Sequence, residues 1–282
     1  MSYPTICRNQ VDAMNIHWAQ WSLDTFFDYE ASLGITGIEL WGAMPHVWLD
    51  SMGYYDAKKI RKKAEDRGLN INVFCPENVI SPYQVNPQEP MYVDLIHHYF
   101  ENGIKFATEV GAKYLSINSG WGYWNEDRQE AWKRSREMLR DLAEVAEHEG
   151  ITLTLESLRP QESQLVVTLE DTKRMFDEVN SPNFKVMVDT VAMSVSNESL
   201  DQWFETFGAD ICNMHFIDCN PYGHLIWGDG DRDLGSWVAT LNKYHYEGFL
   251  GQEITEERYL LDPQAADLRN FHNLERYFNE EI

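Results

Sequence analysis

Short apolar runs alternate with longer amphipathic segments from one end of this chain to the other, and this alternation limits the fold more than any other feature. Repeated strand–helix units predict a parallel β-sheet covered by helices. Eight such units can be counted in the 282 residues, and a closed eight-unit barrel typically needs about 250 residues. The sequence therefore predicts an α/β protein with one (β/α)8 TIM barrel, a single domain over residues 1–282.

The predicted strands are residues 5–8, 37–41, 70–75, 113–118, 151–158, 184–189, 209–215 and 249–253, of which the first has the weakest pattern. The first helix is expected to follow Ser22 as N-cap and to stop at Gly34. The later helices are predicted at about 55–67, 97–110, 128–148, 169–179, 198–207, 234–245 and 263–278. A doubly wound open sheet is the alternative, but its usual G-x-G-x-x-G motif is missing from this chain.

Each of the last four predicted strands presents, at or near its C-terminal end, a residue that can bind a metal. These residues are Glu156, Asp189, His215 and Glu253. They are separated by 33, 26 and 38 residues, about one strand–helix unit each. The C-terminal ends of barrel strands converge around one axis and carry the active sites of such barrels. We therefore expect these four side chains to form one site.

A lone Asp189 or His215 is more often a capping or packed residue than a metal ligand. Four titratable groups on consecutive apolar strands, however, are costly to bury together without a cation. Three carboxylates and one imidazole favour one divalent metal ion, Mn²⁺ first, with Mg²⁺ or Co²⁺ as alternatives. Glu156 and Glu253 are also placed to act as catalytic acid and base on opposite faces of a carbon atom, while the cation stabilises an enediolate. Such an arrangement inverts stereochemistry.

Acidic residues outnumber basic ones by 46 to 23, which gives a formal charge of −23 and a pI of about 4.6. This charge opposes binding to phosphate backbones and anionic lipids, so neither nucleic acid nor a membrane is an expected partner. The four cysteines include no CxxC pair and are expected to be reduced thiols. No secretion signal or long apolar run is visible, so we expect a cytoplasmic protein. Its aromatic content is compatible with a homo-oligomer.

Six stretches carry a resemblance to known proteins: GITGIELWGAMPH (34–46), CPEN (75–78), LTLESL (153–158), KVMVDT (185–190), NMHFID (213–218) and EGFLGQEI (247–254). In these stretches the chain resembles the xylose-isomerase-like barrels of sugar epimerases and isomerases, particularly fructoselysine 3-epimerase and the D-tagatose/D-psicose 3-epimerases. The resemblance implies a small-molecule sugar substrate and a divalent metal at Glu156, Asp189, His215 and Glu253. It also implies that Glu156 and Glu253 transfer protons at C3 of the sugar.

The chain departs from this pattern at three positions. Ketohexose 3-epimerases usually have a histidine three residues after the metal-binding aspartate and an arginine six residues after the metal-binding histidine. Ala192 and Pro221 occupy these positions here, and Met44 stands where the similar stretch of the fructoselysine enzyme has arginine. The first two departures weigh against an ordinary free-ketohexose epimerase. The third leaves open a sugar other than fructoselysine.

Five further residues near predicted strand ends are candidates for substrate binding: His46, Glu77, Trp41, Trp121 and Asp218. The polar side chains can hydrogen-bond sugar hydroxyls, and the indole rings can pack on the C–H face of a sugar. Each has a structural alternative, namely loop hydrogen bonds or ion pairs for the polar residues and core or interface packing for the tryptophans.

The predicted function is that of an isomerase that inverts C3 of a ketose or fructosamine-type sugar. Two enzyme alternatives keep the metal: an aldose–ketose or hydroxypyruvate-type isomerase, and a keto-inositol dehydratase. Two alternatives from other classes are an endonuclease IV-like nuclease, which the acidic charge disfavours, and a noncatalytic sugar-binding protein. Neither a P-loop nor a G-x-S-x-G motif occurs, so phosphoryl transfer and serine hydrolysis have no support.

Overall fold

Parallel strands close into an eight-stranded barrel in the computed structural model, which describes residues 5–50, 54–79 and 83–279. The barrel strands are β1 (Val11–Met14), β2 (Gly37–Gly42), β3 (Asn70–Pro76), β4 (Tyr114–Asn118), β5 (Thr152–Glu156), β6 (Phe184–Asp189), β7 (Ile211–His215) and β10 (Phe249–Gln252). They follow one another around the barrel in the order β1-β10-β7-β6-β5-β4-β3-β2. The predicted TIM barrel is therefore confirmed.

Helices cover the outside of the barrel. They are α1 (Leu23–Ser32), α2 (Tyr54–Glu65), α3 (Val93–Val110), α4 (Arg128–Glu149), α5 (Leu169–Val179), α6 (Thr190–Val195), α7 (Leu200–Phe207), α8 (Leu234–Lys243) and α9 (Pro263–Leu274). Ser22 caps α1 by accepting a hydrogen bond from the backbone N–H of Thr25, as predicted. Gly150 ends α4 with φ at 73°, a left-handed conformation that glycine adopts without steric cost.

The prediction for the first strand was wrong. Residues 5–8 contribute an isolated bridge between Ile6 and Phe278 and the start of a 3-10 helix, and the barrel strand is Val11–Met14 instead. This strand contains the fully buried Asp12, whose Oδ1 accepts a hydrogen bond from Asn72 Nδ2 at 2.7 Å. A charged residue inside a four-residue strand interrupts the apolar pattern that identified the other strands.

Two short excursions follow barrel strands at the C-terminal edge. Helix α6 starts directly after β6 and is capped by Asp189, which accepts a hydrogen bond from the backbone N–H of Val191. After β7 the chain forms an antiparallel hairpin of β8 (Asp218–Asn220) and β9 (Tyr222–Leu225) before it reaches α8. The sequence pattern predicted neither element, and both lie next to the predicted site.

The main core fills the space between the barrel and the helices. Phe74 of β3 packs on Phe106 of α3 with ring centroids 4.9 Å apart. Replacing one such buried aromatic residue by alanine lowers the free energy of unfolding by about 3–5 kcal/mol, because a cavity remains. This packing keeps the strand ends in a fixed arrangement. In the described ranges, no helix combines the length and the apolar character that crossing a membrane requires.

Candidate metal and active site

The four predicted ligands lie at the C-terminal edge of the barrel. Glu156, Asp189 and His215 are the last residues of β5, β6 and β7, and Glu253 directly follows β10. Asp189 and His215 are register partners of neighbouring strands. Because the C-terminal ends of the strands surround one axis, these residues come together although the chain separates them by 26 to 38 residues.

The imidazole of His215 forms the centre of the cluster. Its Nδ1 atom lies 3.0 Å from Glu156 Oε1 and 3.1 Å from Glu253 Oε2. The His215 side chain is fully buried, while those of Glu156 and Glu253 are 9% and 16% exposed. Nδ1 nevertheless has no well-aligned hydrogen-bond partner. Carboxylates this close to a buried imidazole nitrogen require a proton or a metal ion near that nitrogen, since electron pairs would otherwise repel.

A second histidine, which the sequence analysis missed, completes the cluster. Nε2 of His224 lies 3.0 Å from Glu253 Oε2 and 3.3 Å from Asp189 Oδ2. His224 belongs to β9, and the hairpin returns it to the site after the turn that contains Pro221. The signal for this hairpin was the stretch Asn-Pro-Tyr-Gly (220–223), whose composition is typical of turns between short strands.

The five donors form two overlapping groups, Glu156–His215–Glu253 and Asp189–His224–Glu253. Within each group the ligand atoms lie within 4.8 Å of one another. Carboxylate oxygens combined with imidazole nitrogens suit first-row divalent ions such as Mn²⁺. Together with the unpaired Nδ1 of His215, this donor chemistry fits a divalent metal ion. The structure thus supplies candidate metal ligands, and His224 places a second imidazole beside the four predicted ligands.

Electrostatics give the two glutamates different proton affinities in the metal-free chain. Burial raises the pKa of Glu156 to about 7, although His215 opposes the shift. Burial would also raise the pKa of Glu253, but attraction to His215 and His224 outweighs it and lowers the pKa below the usual value. Burial lowers the pKa of His224, yet Glu253 and Asp189 overcome this effect and raise it to about 10. Without a metal, protons on imidazoles balance part of the carboxylate charge.

A cavity of about 280 Å³ opens beside the cluster, close to the lower end of the ~300–1,000 Å³ that small-molecule pockets occupy. Glu156, Asp189, His224 and Glu253 form one part of its lining. Apolar and aromatic side chains form much of the rest, including Ile16, Trp41, Pro76, Val79 and Leu158. A pocket with one apolar wall and one wall of acidic and imidazole groups suits a small polar molecule that has both hydroxyl groups and C–H faces.

Trp41 and Glu77, two of the predicted substrate-binding residues, line this cavity. The indole Nε1 of Trp41 donates a hydrogen bond to Glu77 Oε2 at 3.1 Å, and Glu77 Oε1 accepts one from the backbone N–H of Val79 at 2.7 Å. The two side chains therefore hold each other at the pocket wall. Contact of either residue with a substrate stays a prediction.

The lining also includes Arg159 and Glu162, which the sequence analysis did not select. The guanidinium Nε of Arg159 donates to Glu162 Oε2 at 2.9 Å, and a second guanidinium nitrogen reaches the other carboxylate oxygen. Both lie in the loop after β5, and their three-residue spacing gave no signal that distinguishes them from a surface ion pair. The pair adds a fixed charge-assisted contact to the pocket.

His46 lies away from the cavity lining. Its Nε2 donates to the carbonyl oxygen of Trp21 at 2.8 Å, which leaves Nδ1 to accept from Asn15 Nδ2 at 2.8 Å. Burial lowers the pKa of His46, as expected for a neutral ring. Both ring nitrogens are occupied within the fold, so this placement favours the structural alternative over substrate contact.

Trp121 and Asp218 also lie outside the cavity lining. Trp121 borders a larger cleft of about 520 Å³, whose lining contains none of the five clustered donors. Asp218 accepts backbone hydrogen bonds from its neighbour Cys219 and from Gly228, Gly230 and Arg232 in the loop after β9. The Asp218 carboxylate thus stabilises the loop. Its chemical character alone would suit substrate binding equally well.

The fold and the donor cluster define a (β/α)8 barrel with an acidic, histidine-containing site at the C-terminal ends of its strands. Comparison with family models is consistent with this class: the model for the xylose isomerase-like TIM barrel matches residues 27–274. The chain belongs to the xylose isomerase-like TIM barrel family.

Similar members of this family include sugar epimerases, which are isomerases. Fructoselysine 3-epimerase of Shigella flexneri is 28% identical and covers 83% of this chain and 85% of its own length. D-psicose 3-epimerase of Ruminiclostridium cellulolyticum is 25% identical over 78% of this chain and 79% of its own. A probable endonuclease 4 of Mesomycoplasma hyopneumoniae is 25% identical over 68% of each chain. Among solved structures, 3-keto-D-glucoside 4-epimerase from E. coli has a TM-score of 0.80 with 18% identity, covering 95% of this chain and 99% of that one.

Proposed function

We propose that this chain is a divalent-metal-dependent epimerase that inverts C3 of a ketose or fructosamine-type sugar through an enediolate. The observation that carries the proposal is the approach of both Glu156 and Glu253 to within 3.1 Å of His215 Nδ1, at the edge of the 280 Å³ cavity. Similarity to fructoselysine and D-psicose 3-epimerases supports the choice of C3.

Glu156, Asp189, His215 and Glu253 would hold the divalent metal ion, with Mn²⁺ as the preferred ion. A bound ion would supply Lewis-acid stabilisation of the negative charge that develops on the substrate as a proton leaves carbon. Each of these four side chains is mostly buried, which excludes bulk water and strengthens electrostatic interactions at the reacting carbon.

Glu156 and Glu253 carry the proton transfers. One carboxylate takes the proton from C3, and the electron pair of the broken C–H bond enters the enediolate. The other glutamate, protonated at the start, returns a proton to the opposite face of C3, which inverts that centre. No atom is gained or lost by the sugar, and the glutamates finish the turnover with exchanged protonation states. Which glutamate acts first depends on the configuration of the substrate.

The remaining pocket residues position the sugar. The Trp41 ring offers an apolar surface to C–H groups, and Glu77, fixed by its hydrogen bonds to Trp41 and Val79, offers carboxylate oxygens to hydroxyl groups. His224 donates its Nε2–H toward Glu253 and Asp189, because carboxylates can only accept. It thereby orients a proton-transferring carboxylate and a metal-binding one.

The proposal is tested by incubating the Mn²⁺-loaded protein with a panel of ketohexoses and fructosamines and identifying products by chromatography. We expect C3 epimers of at least one member. Interconversion of an aldose and a ketose would instead support the isomerase alternative. Loss of water from a keto-inositol would support the dehydratase alternative. Binding without any product would indicate a sugar-binding protein, and cleavage of abasic DNA would indicate a nuclease.

His224→Leu is expected to lower kcat/KM for the epimerised sugar by about 10- to 100-fold, because Glu253 and Asp189 lose the donor that orients them. Initial rates of the metal-loaded variant provide the measurement. His272→Leu serves as the control, since this histidine lies on α9 with 66% of its side chain exposed. A kcat/KM for His224→Leu within about 2-fold of the unaltered protein would show that His224 has no positioning role.

A further inference from the structure

Glu39 of β2 is a fully buried acidic residue in the barrel interior, beside the candidate metal site and outside both donor groups. Its Oε1 atom lies 3.2 Å from Nε2 of His215, the ring nitrogen opposite the one that faces Glu156 and Glu253. Burying a carboxyl group lowers the stability of the fold unless hydrogen bonds or nearby charges compensate for the lost solvation. Apolar packing alone therefore does not account for Glu39 in the barrel interior.

A chain of hydrogen bonds fixes the direction of the contact between Glu39 and His215. The amide Nδ2 of Asn213, which can only donate, lies 3.4 Å from Ser116 Oγ. Ser116 Oγ donates in turn to Glu39 Oε1 at 3.2 Å. Oε1 is thus an acceptor, so Nε2 of His215 carries the hydrogen that it receives. With the hydrogen on Nε2, the neutral ring has its lone pair on Nδ1, toward the candidate metal ligands.

Gly251 of β10 leaves the space that Glu39 occupies. A Cβ atom at this position would stand 2.1 Å from Glu39 Oε2, far inside van der Waals contact. Gly251 is also the register partner of His215. A glycine in a strand interior often marks a close approach of this kind, since it otherwise weakens the strand. Three strands besides β2 therefore cooperate to seat one carboxyl group against one imidazole nitrogen.

We propose that Glu39 is a positioning residue of the metal site, which fixes His215 as the Nε2–H tautomer and so presents Nδ1 to the divalent cation. The inference rests on the metal site of the proposed function. A carboxylate behind a metal-binding imidazole orients the ring and raises its basicity, and the loss of such a partner typically costs about 10- to 100-fold in metal affinity. Glu39 thereby supports the metal site from inside the barrel, on the far side of the His215 ring.

The test measures metal binding rather than turnover. The full chain is stripped with a chelator, and Mn²⁺ dissociation constants are determined by isothermal titration calorimetry. Glu39→Gln is expected to raise the dissociation constant by about 10- to 100-fold. Gly251→Ala, which leaves every candidate ligand intact, is expected to raise it as well, because the new methyl group displaces Glu39. Ser116→Ala should give a smaller increase of about 2- to 10-fold.

Asp267→Asn is the matched control. Asp267 is also a buried carboxylate bound to a histidine, with Oδ1 2.8 Å from His17 Nε2, but it lies outside the donor cluster. This variant should lower the thermal midpoint without altering Mn²⁺ affinity. Glu39→Gln should do the reverse, with weaker Mn²⁺ binding and a metal-free midpoint close to that of the unaltered chain. Should Glu39→Gln fail to fold, Gly251→Ala and Ser116→Ala provide the same comparison.

Nitrogen NMR of the His215 imidazole in the Mg²⁺-loaded protein gives a direct readout. We expect hydrogen on Nε2 and metal coordination at Nδ1. Hydrogen on Nδ1 would overturn the inference, as would Mn²⁺ affinities of Glu39→Gln and Gly251→Ala within about 2-fold of the unaltered chain. A chain that binds Mn²⁺ as described but turns over no sugar would defeat the proposed reaction and keep the role of Glu39. A chain that binds no divalent metal would defeat both.

Discussion

Glu253→Gln is expected to reduce turnover of the epimerised sugar by about 10²- to 10⁴-fold, the usual contribution of a positioned acid or base. The amide keeps the size of the side chain and one oxygen acceptor, but it neither takes a proton from C3 nor returns one. Sugar binding should largely survive, because Trp41, Glu77 and the apolar wall are unchanged. Turnover is measured with saturating sugar and Mn²⁺, and binding is measured by calorimetry on the same preparation.

The same loss is expected for Glu156→Gln, because inversion needs a group on each face of the carbon. Glu247→Gln is the matched control: this residue also borders β10, but it precedes the strand and is exposed. Its turnover should stay unchanged. If Glu253→Gln retained full turnover with Mn²⁺ bound, Glu253 would have no part in proton transfer and the two-glutamate mechanism would be wrong.

Removing the metal is expected to lower turnover by more than about 100-fold, since charge developing on the substrate would lose its main stabilising partner. Restoring Mn²⁺ should restore the rate. Mn²⁺ at about 100 times its dissociation constant should also stabilise the chain by about 2.7 kcal/mol, because the ion binds only the folded state. For a chain of 282 residues, such a gain raises the thermal midpoint by roughly 4–6 °C.

Asp189→Asn provides a second test of this effect. It removes a charge from the candidate ligand set and should reduce both the Mn²⁺-dependent rate and the Mn²⁺-dependent rise of the thermal midpoint. A chelated protein that still turns over sugar at the full rate, with metal absent by elemental analysis, would contradict the metal dependence.

The barrel was predictable because strands three to eight are apolar runs that end close to turn signals, and their spacing matches strand–helix units. The first strand was not, since Asp12 occupies its interior and its hydrogen bond to Asn72 is a tertiary contact. In the sequence pattern, a charged residue within a short apolar run indicates a loop, whether or not the fold buries it. Only the closure of the barrel, which places β1 between β2 and β10, gives that strand its position.

The four expected metal ligands come together because each lies at or directly after the C-terminal end of a barrel strand, a position that sequence order reveals. His224 escaped notice because it lies on a hairpin outside the strand–helix repeat, three residues beyond Pro221, where the family resemblance placed an arginine. Glu39 escaped because it lies within a strand, where its proximity to His215 depends on the register of neighbouring strands.

The substrate contacts expected of residues beside the strand ends stay predictions, but the structure shows which of these side chains are already engaged within the fold. His46 and Asp218 have the chemistry of substrate-binding groups, but Trp21, Asn15 and the loop after Asp218 use their hydrogen-bonding capacity. A sequence shows which groups can form hydrogen bonds, whereas their partners are determined by the folded loops. Trp41 and Glu77 differ because they remain in the cavity lining after pairing with each other.

Proton NMR of the sugar product formed in D₂O tests the central proposal most directly. A sugar that the panel identifies as substrate is incubated with the Mn²⁺-loaded protein, and the position of deuterium is read together with the configuration of each carbon. Epimerisation through Glu156 and Glu253 predicts deuterium at C3 with inverted configuration there. Deuterium confined to C1 or C2 would contradict the proposal. Inversion at C3 without deuterium would also contradict it, because the glutamates exchange their protons with D₂O over many turnovers.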